Sequence, residues 1–89
     1  MARYRVEFTP AAARDLRRLD RQTQRRLSNV IDGLSENPRP NGVKALQGDS
    51  SILRIRSGAC RILYRIEGRV LMIVIIRIGH RKDVYRTKS

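Results

Sequence analysis

Residues 51–78 read SILRIRSGACRILYRIEGRVLMIVIIRI, and this stretch decides the fold. In residues 51–57 (SILRIRS) apolar and basic side chains alternate. Leu53 and Ile55 therefore share one face of a strand, and Arg54 and Arg56 share the other. Residues 60–67 (CRILYRIE) place Cys60, Ile62, Tyr64 and Ile66 on one face and Arg61, Leu63 and Arg65 on the opposite one. Residues 70–78 (VLMIVIIRI) are apolar on both faces through Ile76, which predicts a strand inside the sheet with something packed on each side. Gly58-Ala59 and Gly68-Arg69 supply two-residue turns, so the three strands follow one another as hairpins.

Upstream, residues 3–8 (RYRVEF) alternate and are rich in β-formers, the mark of a first strand. Thr9-Pro10 then gives an N-cap followed by proline at the first helical position. Ala12, Leu16 and Leu19 form the apolar stripe of a short helix. Asp20 is placed to cap a second helix, whose stripe is Leu27, Val30, Ile31 and Leu34 and whose opposite face carries Arg21, Arg25, Arg26 and Asp32. Asn37-Pro38 stops that helix, and Pro40-Asn41-Gly42 continues as loop. The order β-α-α-β-β-β predicts an α+β fold, with a helical hairpin packed on one face of a small, twisted, mainly antiparallel sheet. The tail, from Gly79 to Ser89, reads as polar and basic.

Eighty-nine residues, 40% of them apolar, suffice for one compact core, so residues 1–89 are read as a single domain. The lone cysteine, Cys60, cannot form an intramolecular disulfide, and no metal-ligand spacing surrounds it. MARYRVEF lacks the apolar stretch of a signal peptide, and the longest apolar run, Val70 to Ile76, is too short to span a bilayer as a helix. A cytoplasmic protein without a membrane partner is expected.

Twenty Lys and Arg face eight Asp and Glu, a formal net charge of +12, and 17 of the 20 are arginine. Guanidinium forks onto phosphate in a bidentate geometry that an ammonium does not reproduce, so nucleic acid is the first partner to consider. For the arginines of the helices a solvated surface suffices. In the sheet, an antiparallel hairpin brings Arg54, Arg56 and Arg61 onto one side, opposite the helices. Two like charges about 4 Å apart at an effective dielectric near 20 repel by roughly 4 kcal/mol, so such a cluster favours an arriving phosphate. Arg77 and Arg81 come where the last strand ends, beside His80, the only histidine. Imidazole moves protons near neutral pH, and arginine does not. Tyr85 can anchor the tail on the sheet or stack on a base. Tyr64 is assigned to the core. A phosphate-cradling glycine loop, a carboxylate pair and a Ser-His-Asp set are all missing from the sequence.

Three stretches together resemble toxins of the RelE/ParE superfamily. They are Tyr4 to Ala12 with the following helix, the R-x-G-x-x-R-x-x-Y core from Arg56 to Tyr64, and the G-H-R-x-x-V-Y ending from Gly79 to Tyr85. The resemblance spans essentially the whole chain and keeps the order of elements. It implies the toxin of a type II toxin-antitoxin system, held by an acidic, RelB-like antitoxin in a hetero-oligomer. The RelE branch implies an endoribonuclease that cuts mRNA in the ribosomal A site without metal or other cofactor, by attack of the 2′-hydroxyl on the adjacent phosphate. Its site maps onto Arg54, Arg56, Arg61, Arg81 and Tyr85. That branch carries lysines where this chain has Arg54 and Arg56. Arginine stabilises charge on a phosphorane but is a poor proton donor, which turns attention to His80, with Tyr85 as second candidate, for proton transfer. A ParE-like inhibitor of DNA gyrase without nuclease activity is the alternative, and a plain RNA- or DNA-binding module is a third reading.

Overall fold

The computed structural model describes residues 3–80, with backbone only at Ser50 and His80. Its elements run β1 (Arg5–Phe8), α1 (Pro10–Arg17), α2 (Arg21–Glu36), β2 (Lys44–Leu46), β3 (Asp49–Ser57), β4 (Cys60–Glu67) and β5 (Met72–His80). The five strands form one sheet in the order β1-β5-β4-β3-β2. β1 pairs parallel with β5, and every other pairing is antiparallel. The chain is α+β, two helices packed on a mixed sheet.

Both helix starts follow from their caps. Thr9 Oγ1 accepts from the Ala12 amide at 3.0 Å, with Pro10 at the first helical position. The Asp20 carboxylate accepts from the Thr23 amide at 3.3 Å and from the Thr23 hydroxyl at 2.5 Å. These two hydrogen bonds hold the Asp20 carboxyl below its usual range. The core lies between the hairpin and one sheet face, formed by Ala12, Leu27, Ile31 and Leu34 against Leu53, Ile62, Tyr64, Ile73, Ile75 and Ile78. Tyr64 is fully buried, and its hydroxyl donates to the Pro38 carbonyl at 2.6 Å, so the loop after α2 is pinned to β4.

β1 ends at Phe8 while β5 runs on to His80, which leaves a stretch of β5 without a strand neighbour on the side away from β4. α1 closes that edge. The Thr9 hydroxyl donates to the Ile76 carbonyl at 2.7 Å, and Asp15 Oδ2 accepts from the Ile78 amide at 3.0 Å. A carboxylate on a helix thus takes the place of a missing strand.

Three expectations need correction. β2 falls within a segment that period-two reading leaves as loop, because three residues are too few to show alternation. Gly68-Arg69 is not a two-residue turn: Gly68–Val70 form a 3₁₀ turn that ends on Leu71 in the left-handed region, at φ +50°. In that conformation the Leu71 carbonyl accepts from the Arg5 amide at 2.8 Å, which begins the β1–β5 pairing. Finally, Gly79 and His80 belong to β5 and not to a tail, since the ladder with β4 continues through Arg61↔Gly79 and Cys60↔His80. β5 does lie inside the sheet, between β1 and β4. Among the described residues the helices cover only one of its faces, and Met72, Val74 and Ile76 are half-buried.

Candidate functional site

The β3–β4 hairpin delivers the expected cluster. Arg56 stands opposite Arg61 and Arg54 opposite Leu63, so the three arginines share the sheet face away from the helices. Together with Ile55 they line a small pocket of about 30 Å³. Their exposures differ: Arg56 is exposed, Arg54 half-buried and Arg61 only 4% exposed. Arg61 is thus buried while it faces Arg56 across the ladder.

β5 supplies the neighbouring strand, with Gly79 opposite Arg61. Glycine there leaves the ground beside Arg61 without a side chain. The His80 backbone is opposite Cys60, one residue along. The His80 side chain, Arg81 and Tyr85 lie outside the described residues. Arg77, read in sequence as part of the same basic cluster, is occupied elsewhere: its guanidinium holds Asp15 through Nε at 2.8 Å and Nη2 at 3.3 Å. The bond to Asp15 keeps the Arg77 charge even more firmly than usual. Its work is to hold α1 against β5.

Cys60 is 5% exposed, and burial pushes its thiol above the usual range against the opposing pull of Arg26. A buried thiol held protonated is not a nucleophile. Among the described residues no three His, Cys, Asp or Glu side chains are grouped to hold a metal. The positive pocket suits one task, gripping a phosphate and balancing charge that develops on its oxygens.

A family model described as the ParE toxin of the type II toxin-antitoxin system, parDE, matches residues 6–85. The chain belongs to this toxin family. Toxin RelG of Mycobacterium tuberculosis is 36% identical over 87 residues, covering 93% of this chain and 97% of that toxin. Among solved structures, a chain of the toxin-antitoxin complex RelBE2 from the same organism superimposes with a TM-score of 0.78 at 32% identity. The match covers 89% of this chain and 99% of that one. A chain of the archaeal RelE-RelB complex from Pyrococcus horikoshii matches with a TM-score of 0.77 at 27% identity, over 91% of this chain and 97% of that one. This is a type II toxin of the RelE/ParE superfamily, and both of these structural neighbours come from toxin-antitoxin complexes.

Two residues of the toxin escape a reading of the sequence. Asp15 lies on a helix between Arg14 and Leu16 and looks like one more solvated charge. Its role shows only when α1 is laid beside β5. Arg26 looks equally ordinary, yet its Nη1 stands 2.8 Å from where a Cβ on Gly58 would be, against the β3–β4 turn.

Proposed function

We propose that this toxin is a ribosome-dependent mRNA endonuclease. The observation that supports this reading is the pocket that Arg54, Arg56 and Arg61 line on the sheet face away from the helices. In the proposed reaction the 2′-hydroxyl of a nucleotide in the A site loses its proton and attacks the adjacent phosphorus. The bond to the 5′-oxygen of the next nucleotide breaks, and that oxygen takes up a proton. A 2′,3′-cyclic phosphate and a 5′-hydroxyl remain, and no metal or redox cofactor takes part. The arginines hold the phosphate and offset the charge that grows on its equatorial oxygens. In this reading Arg81 adds to them, His80 moves a proton, and Tyr85 stacks on a base or shares the proton transfer.

The partners follow from charge. A net +12 on 89 residues attracts ribosomal RNA and message, and between encounters it suits an acidic antitoxin segment that folds onto the hairpin and the basic sheet face. The ParE description of the matching family keeps a second reading in view, inhibition of DNA gyrase with no cleavage. Primer extension on mRNA from cells briefly expressing the toxin separates the two. Cuts inside codons that vanish when ribosomes are kept off the message support the endonuclease. Intact message in arrested cells transfers the proposal to gyrase.

A further inference from the structure

The charge on α2 runs against what its own helix favours. Arg21, Arg25 and Arg26 crowd its first two turns, the first turn holds no acidic residue, and Asp32 and Glu36 sit toward its C-terminal end. A helix macrodipole prefers the reverse order, and Arg21 with Arg25 is a like-charge pair one turn apart. Neutralisation is not supplied locally. The Asp20 carboxylate is turned to Thr23, while Asp32 and Glu36 pair with Arg3. Among the described residues Arg21, Arg25 and Arg26 make no ion pair, and all three are exposed. Their position supplies the reason. Arg26 rests against Gly58, in the turn that joins Arg56 on β3 to Arg61 on β4. Arg26 therefore stands beside the turn that links Arg56 to Arg61, and Arg25 and Arg21 extend this band of positive charge over the exposed surface of α2.

We infer that this band is a track for the sugar-phosphate backbone of single-stranded RNA, on one side of the nucleotide held in the pocket. The inference rests on the pocket being a phosphate site and adds the path by which the strand reaches it. An RNA occupant fits better than a protein anchored by apolar side chains, and the acidic antitoxin segment competes with it for the same charge. Protein interfaces are anchored by buried aromatic and aliphatic side chains, whereas a phosphate backbone is held by charge alone. The exposed large apolar residues among those described are Phe8, Val70 and Leu71, none of which is on α2.

The test uses the full chain and 2′-O-methyl oligouridylates, which bind without being cut. A short oligomer of about 4 nucleotides reaches little beyond the pocket, and a long one of about 16 also spans the band. The unaltered toxin should bind the long oligomer more tightly than the short one. The R21A/R25A/R26A variant should lose most of that gain and keep its affinity for the short oligomer. The slope of log K against log salt for the long oligomer should shrink by about 2, at roughly 0.7 per lost phosphate contact. Its thermal unfolding midpoint should be unchanged or higher, since alanine removes the like-charge pair from an exposed helix face. An unchanged length gain and salt slope in the variant would overturn the track and leave the pocket standing. So would retained RNA binding with lost binding of poly-glutamate, which would make α2 a docking face for an acidic protein. If the unaltered toxin fails to bind even the short oligomer, the pocket falls, and the track with it.

Discussion

Arg61 is only 4% exposed, and it stands opposite Arg56 and beside Gly79. Lysine there would keep the charge but lose the planar fork, so Arg61→Lys should retain phosphate binding poorly and Arg61→Ala should lose more. In single-turnover cleavage of ribosome-bound message, Arg61→Ala is expected to slow the chemical step by about 10²–10³-fold, the usual cost of removing one donor aimed at developing oxyanion charge. An unchanged rate would take Arg61 out of the reaction. His80 has a different expected role, moving a proton, and His80→Ala should slow cleavage by about 100-fold with little change in RNA affinity. Full activity in that variant would pass proton transfer to Tyr85 or to the ribosome. The alternation of strands 51–57 and 60–67 made the Arg54, Arg56 and Arg61 cluster legible in the sequence, because a period of two and a short turn fix which side chains share a face. The same logic could not reach Asp15 or Arg26, whose partners lie 62 residues away on β5 and across the β3–β4 turn.

Elements are held together here by a few polar pins over an ordinary apolar core. Asp15 is one: its carboxylate accepts from Arg77 and from the Ile78 amide, closing the β5 edge that β1 leaves open. Asp15→Ala strands that amide and frees Arg77, and should cost about 2–3 kcal/mol of unfolding free energy in a urea titration. A loss below about 0.5 kcal/mol would mean water replaces the carboxylate without penalty. Tyr64 is the second pin. Burial pushes its phenol up from 10.0 to about 12, so folding favours the neutral form. A raised folded pKa adds stability that is complete below the unfolded value and lost as pH climbs through the folded one. The toxin should therefore lose about 2 kcal/mol more stability between pH 10 and 12 than Tyr64→Phe does. Parallel alkaline curves for the two proteins would contradict this. Caps and stripes placed both helices within a residue or so of their observed ends, since Thr9-Pro10, Asp20 and Asn37-Pro38 act locally. The short β2, the 3₁₀ turn at Gly68–Val70 and the parallel docking of β1 depend on long-range pairing, which local pattern does not carry.

At the scale of the whole molecule, 20 basic and eight acidic residues must be reconciled with a stable fold and with a partner. The described acids are largely engaged in internal ties, to Arg3, Arg65, Arg77 and Thr23. No helix among the described residues is long and apolar enough to cross a membrane. Composition points to a polyanionic partner, and the matching family supplies the toxin-antitoxin setting. The reaction itself is the central claim. The most direct test places purified toxin with purified ribosomes programmed with a defined message and an empty A site, and reads the cut ends of the RNA. The account predicts one cut within the A-site codon, a 2′,3′-cyclic phosphate on the upstream fragment, a 5′-hydroxyl on the downstream one, and no cutting of the same RNA without ribosomes. Intact message on the ribosome, or a 5′-phosphate at the cut, would contradict it.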